Sequence, residues 1–145
     1  MMRLTAIALT ALLIAAPALA QSPIKDRLSK AGQAELIAGD GPTYRAIVGD
    51  GEIYLLTVAG DGRATLTVTS RAGKSEGRSV SNRQLDALDA ALGAAGFNGD
   101  APLMSQGCKA GSEIVFETLI EGRYRYGVQC DTDPLAKAVA VLKGG

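Results

Sequence analysis

The side chains best placed to do chemistry are Glu113, Glu117, Arg123, Arg125 and Gln129, in two neighbouring segments of alternating pattern. Two carboxylates can share general acid and general base work, as in glycoside hydrolysis, and arginines can hold an anion through bidentate hydrogen bonds. On one extended strand, however, Glu113 and Glu117 would stand roughly 13 Å apart, beyond the usual catalytic separation. Arginines would also stand opposite them. The pattern therefore favours a solvated strand face with cross-strand ion pairs, each worth a fraction of a kcal/mol. The sharper alternative is an anion- or partner-binding patch built on Arg123 and Arg125, or a small hydrolase-like enzyme using Glu117 with Arg125.

Other chemistries lack their residues. The chain has no His, which removes His-based acid/base catalysis, Ser-His and Cys-His nucleophile pairs and most zinc sites. Neither a metal nor a cofactor is therefore expected. Trp is absent and aromatics make up 4%, which leaves little for a base- or sugar-stacking platform. Fifteen Lys+Arg balance fifteen Asp+Glu, with no long basic tract, so binding nucleic acid through phosphate neutralisation is not expected. Ser22-Pro23-Ile24-Lys25 matches the S-x-x-K pattern of Ser-Lys acylases but has none of the accompanying motifs. Gly-Asp-Gly recurs at 39–41, 49–51 and 60–62. One Asp per turn is too few for a calcium loop, and spacing near ten residues suits strands joined by tight turns.

The first twenty residues read as an address. Arg3 gives a positive start, residues 4–16 are uncharged and mostly apolar, Pro17 breaks the run, and Ala18-Leu19-Ala20 is a small-x-small cleavage pattern. The apolar run has 13 residues, short for a bilayer span. A leader cut after Ala20 implies export to the periplasm or the medium, with no membrane span afterwards. In that oxidising setting Cys108 and Cys130, the only cysteines, are expected to form one disulfide. Residues 21–42 read as a flexible arm or marginal helix, with Ile24, Leu28 and Ala31 at helical spacing. Residues 43–145 read as a single domain.

That domain must supply the elements that position the polar cluster. Ala64, Leu66 and Val68 alternate with threonines, after a strand carrying Tyr54, Leu56 and Val58. A three-residue loop, Gly60-Asp61-Gly62, sets Val58 against Ala64 and keeps both apolar sets on one face. A similar loop at 49–51 places Ile47 across from Ile53. For the second hairpin a three-residue loop, Ile120-Glu121-Gly122, would pair Ile114 with Val128, Phe116 with Tyr126, Glu117 with Arg125 and Ser112 with Cys130. A weak strand is expected over 75–80. A helix over 82–95 starts at a Ser81 cap with Gln84 three residues on, and stops at Gly96. The last helix is expected to take Asp133 as cap and Pro134 as first residue.

The expected fold is α+β: a meander plus a hairpin in an antiparallel sheet, packed by two helices on one face. The opposite face of the meander carries Ile53 and Leu55 among threonines. It is either covered by the arm or left open as a recognition surface. Taken together, the residues point to a small exported, non-enzymatic binding or protein-interaction module whose partner is another envelope protein. The alternatives are the carboxylate/Arg enzyme and a structural or stress-related envelope protein. Oligomeric state is not readable from the residues.

Overall fold

The computed structural model describes residues 23–49 and 51–144, and the leader assigned to residues 1–20 lies outside them. The element order is α1 (Pro23–Lys30), β1 (Thr43–Val48), β2 (Glu52–Val58), β3 (Ala64–Thr69), β4 (Ser75–Val80), α2 (Asn82–Ala94), β5 (Leu103–Met104), β6 (Glu113–Ile120), β7 (Arg123–Cys130) and α3 (Leu135–Leu142). The strands form one open sheet in the order β4-β3-β2-β1-β6-β7-β5. All neighbours are antiparallel except β5, which runs parallel to β7.

The meander has the expected register. Val58 opposes Ala64, Leu56 opposes Leu66 and Ile47 opposes Ile53. Gly62 takes the left-handed position at φ 86°, which an L side chain would resist. One face of the sheet collects Tyr44, Ala46, Tyr54, Leu56, Ala64, Leu66, Ile114 and Phe116. They pack with Leu88 and Leu92 of α2 and with Leu135, Ala138, Val139 and Leu142 of α3. Period-2 alternation on the strands and 3.6-residue spacing on the helices bring these residues into one core.

The second hairpin departs from expectation by one residue. Val115 opposes Val128, Phe116 opposes Gly127, Glu117 opposes Tyr126 and Glu113 opposes Cys130. The loop is therefore two residues, Glu121-Gly122, both with positive φ (51° and 73°), the turn geometry that matches the twist of the flanking strands. Packing explains the choice. A Cβ at residue 127 would lie 3.0 Å from Leu135 Cδ1, 3.2 Å from Phe97 Cε2 and 3.3 Å from Leu103 Cβ. A side chain there would have to push these neighbours back, beneath the edge-to-face Phe97–Phe116 contact with centroids 5.6 Å apart. The expected pairings Ile114–Val128, Phe116–Tyr126, Glu117–Arg125 and Ser112–Cys130 are thus all displaced.

Helix α2 begins as its residues dictate, with Ser81 Oγ accepting from the Gln84 N–H at 3.2 Å. Gln84 does not complete the reciprocal bond, because its side chain donates to the Val141 carbonyl at 2.7 Å and ties α2 to α3. At the other end Gly96 has φ 77° and the Phe97 N–H reaches the Leu92 carbonyl. Asp133 does not cap α3. Its carboxylate accepts from the Cys130 N–H at 2.8 Å, and the Leu135 N–H is taken by the Gln129 side chain. Cys108 and Cys130 are bonded, with Cα atoms 5.2 Å apart, which fastens the segment after β5 to the end of β7.

The opposite face of the sheet has its own core. Ile24 and Leu28 of α1 pack on Ile47, Ile53, Val115 and Val128, with Ala31 and Tyr126 beside them. A helix of eight residues is marginal alone, so this apolar stripe is what holds it. The chain then leaves α1 and crosses the sheet as an extended arm over residues 33–42.

Candidate functional site

The polar residues expected to form one cluster are divided between the two faces of the sheet by the observed register. Glu113 and Glu117 point toward α1. Arg123, Arg125 and Gln129 point toward α2 and α3. Glu117 is not on a wet face: it is 0% exposed and Arg45, directly opposite on β1, is 5% exposed. Arg45 Nε and Nη2 hold the two Glu117 oxygens at 2.5 and 2.9 Å. Tyr124, the diagonal neighbour of Glu117 across β6 and β7, donates to Oε1 at 2.8 Å. Burial first, and then the adjacent carboxylate, raise the Tyr124 hydroxyl above its ordinary value, so it stays a donor.

The remaining nitrogen of Arg45 turns to the arm. Nη1 donates to the Ala34 carbonyl at 2.8 Å and to Gln33 Oε1 at 3.4 Å. Glu113 acts in parallel at the other end of the covering segment: Arg27 of α1 donates to it from Nε at 2.6 Å and Nη2 at 3.2 Å. The two carboxylates, Glu113 and Glu117, therefore hold the N-terminal segment on the sheet. A carboxylate with both oxygens in an arginine fork is a poor proton acceptor, so this arrangement fastens rather than transfers protons.

On the other face Arg123 is exposed, and Arg125 is half-buried with Nη2 3.7 Å from Asp100 Oδ1. They border a shallow depression of about 190 Å3 with Thr118, Ile120 and Glu121. Arg123 and Arg125 are thus together, while Glu117 lies on the far side of the sheet from them. Of the apolar candidates, Ile53 is buried beneath α1, as is Ile47, whereas Leu55 is only half-buried.

Leu55 opens into a groove of about 680 Å3. Its floor is Arg45, Leu55, Thr57 and Thr65, and its wall is the arm, including Leu36 and Ile37. The arm is held down at both ends of the groove. Arg45 grips Ala34 at one end. At the other the Val58 N–H donates to the Pro42 carbonyl at 2.9 Å, and a Cβ on Gly41 would come within 2.3 Å of the Val58 oxygen, so glycine is required. Ile37 stands at the rim with 85% of its surface exposed.

Arg45 is not among the residues that the sequence singles out, although the arm is. The signal was present: Arg45 shares a strand face with Thr43 and Ile47, and a charge on a covered face requires a partner of opposite sign. Glu117, central in β6, is that partner, where the sequence pattern pairs it with Arg125 instead. Among the described residues no group of three metal-ligating side chains comes together, and no helix is long and apolar enough to cross a membrane. No protein-family model matches the chain, and comparison with curated proteins and with solved structures finds no similar protein.

Proposed function

We propose that this chain is a small exported module that works by contact, binding another envelope protein through the groove between the arm and the β2–β3 face. The observation that carries the proposal is the exposed Ile37 beside a groove floored by half-buried Leu55 and the threonines of β2 and β3. A large aliphatic side chain left in water at the lip of a concavity offers an anchor, and the surrounding hydroxyls and arm carbonyls offer hydrogen bonds. Contact is favoured over catalysis because the most sequestered carboxylate, Glu117, is fully engaged by Arg45 and Tyr124. The Cys108–Cys130 bond is consistent with a location outside the cytoplasm, in keeping with the leader pattern of residues 1–20.

The test is recovery of partners from envelope extract on immobilised wild type and on Ile37→Asp, with Arg123→Ala as a control on the other face. Ile37 is exposed, so its replacement leaves the fold intact. Loss of a specific partner with Ile37→Asp, and its retention with Arg123→Ala, supports the groove. Identical recovery on all proteins removes it.

A further inference from the structure

The groove leaves one conspicuous feature of the sheet unused, the outer edge of β4. Every residue from Ser75 to Ser79 is exposed, and among the described residues no strand lies beyond it. The direction of its unpaired backbone groups follows from the ladder. Ser70 N–H donates to the Lys74 carbonyl, and β3 pairs with β4 so that Leu66 opposes Arg78 and Val68 opposes Glu76. Hydrogen-bonded pairs alternate along an antiparallel ladder, so Glu76 and Arg78 use their backbone groups on β3. Ser75, Gly77 and Ser79 therefore turn theirs outward. The side chains sort the other way: Glu76 and Arg78 share the face of Val68 and Leu66, while Gly77 lies on the opposite face.

We propose that β4 pairs with β4 of a second copy, antiparallel and centred on Gly77, to make one continuous sheet through a two-fold dimer. The register follows from charge. A two-fold pairing that matches outward backbone groups and keeps residues 76–78 all opposite residues 74–80 can be centred on Glu76, Gly77 or Arg78. Centring on Glu76 sets Glu76 against its own copy and Arg78 against Lys74. Centring on Arg78 sets Arg78 against itself. Centring on Gly77 sets Glu76 against Arg78 of the second copy, twice over, and sets Ser75 against Ser79. Gly77 then meets Gly77 with no side chain between, in a pair that exchanges both backbone hydrogen bonds. Arg78 is pre-positioned by its bonds to the Leu142 carbonyl at 2.7 Å and Gln84 Oε1 at 3.3 Å, which keep it on the face where Glu76 of the second copy would arrive. Charges along an edge strand ordinarily discourage pairing. Here their order, acid and base flanking a glycine, favours the pairing centred on Gly77 over those centred on Glu76 or Arg78. This self-association is independent of the groove.

The experiment is sedimentation velocity of the protein purified from expression of the full chain, from micromolar to millimolar concentration. Wild type should shift from monomer to dimer. Gly77→Pro deletes only an outward N–H, an edge substitution sheets tolerate, and should weaken association by about tenfold or more. Glu76→Lys, at an exposed site, should do the same by setting like charges opposite, and serves if the proline variant folds poorly. Cysteine scanning tests the register. In the pair centred on Gly77 the Cα atoms would stand about 5.5 Å apart, within disulfide reach. Gly77→Cys should therefore cross-link readily under mild oxidation, and Ser75→Cys should not. A monomer at every concentration overturns the proposal, as does equal cross-linking of Gly77→Cys and Ser75→Cys. Ile37→Asp should leave the dimer untouched, which separates failure of this interface from failure of the groove.

Discussion

Arg45→Met isolates the contact on which the covering arm depends. Glu117 is 0% exposed and keeps only the Tyr124 hydroxyl once the guanidinium is gone. Removing one partner of a buried ion pair typically costs about 3–5 kcal/mol, because the remaining charge sits in low dielectric without compensation. Against the ~5–15 kcal/mol total of an ordinary domain this is a large share. With a urea slope of about 2 kcal/mol per molar, the midpoint of unfolding should fall by roughly 2 M. The cost belongs to the stranded charge and not to the lost volume, so a companion variant should recover most of it. Replacing the whole set with Arg45→Met, Glu117→Leu and Tyr124→Phe leaves no charge and no hydroxyl seeking a partner. It should lie within about 1 kcal/mol of wild type or be more stable. Both variants lose the bonds from Arg45 to Gln33 and Ala34, so amides in residues 33–41 should exchange faster in each, whatever the global stability. A single variant costing less than about 1 kcal/mol would refute the reasoning. So would a triple variant as unstable as the single one, since the loss would then come from shape and not from charge.

Four further outcomes follow from other parts of the molecule. Cys108→Ser with Cys130→Ser should cost about 3 kcal/mol in denaturant unfolding, with amides of the two-residue strand Leu103–Met104 losing protection first. Gly127→Ala should destabilise by about 1–3 kcal/mol, because the added methyl meets Leu135, Phe97 and Leu103 at 3.0–3.3 Å, and a melting temperature equal to wild type would contradict the tight fit. Glu121→Asn should stabilise by roughly 0.5–1 kcal/mol, since Glu121 sits at φ 51° where Asn is favoured, and thermal unfolding reads the gain. Tyr44 and Tyr124 have hydroxyl pKa values raised above 10.0, by burial first and then by Asp89 and Glu117 respectively. Their contribution is complete below the ordinary tyrosine pKa and is lost as pH rises toward the folded values. Stability should therefore fall above pH ~10 by up to about 1.4 kcal/mol per pH unit for each, and Tyr124→Phe should flatten that slope in urea titrations at successive pH values.

Much of the architecture was legible where local chemistry and burial agree. The loop at 60–62 was readable because only one register keeps Leu56 opposite Leu66 and Val58 opposite Ala64 on the buried face. Ser81 and Gly96 marked the ends of α2 because their roles are set within one turn. Asp133 misled because a carboxylate at a helix start can serve either the helix or the preceding strand, and here Cys130 N–H claims it. The brief strand β5 carries no pattern of its own and exists because the bonded Cys108 segment is held against β7.

The second hairpin shows why the candidate site was less legible than the fold. Either loop length leaves apolar residues on both faces of β6 and β7, because both faces are covered: one by α2 and α3, the other by α1. Alternation then no longer marks a wet side, and cross-strand pairs worth a fraction of a kcal/mol cannot decide the register. The decision falls to Gly127, whose missing side chain admits Phe97 and Leu135, a contact between elements distant in sequence. One residue of slip carries every side chain to the other face. It moves Arg125 away from Glu117, brings Tyr124 to Glu117's own face, and leaves Arg45 from β1 as the only cation facing that carboxylate on the paired strands. Two of the polar residues that looked like a surface patch, Glu113 and Glu117, became through that slip the fastening of the N-terminal segment, while Arg123, Arg125 and Gln129 went to the other face. The open surface keeps Leu55, which the sequence singles out beside Ile53, and adds Ile37, whose aliphatic chemistry announces nothing until the arm is seen to wall a groove.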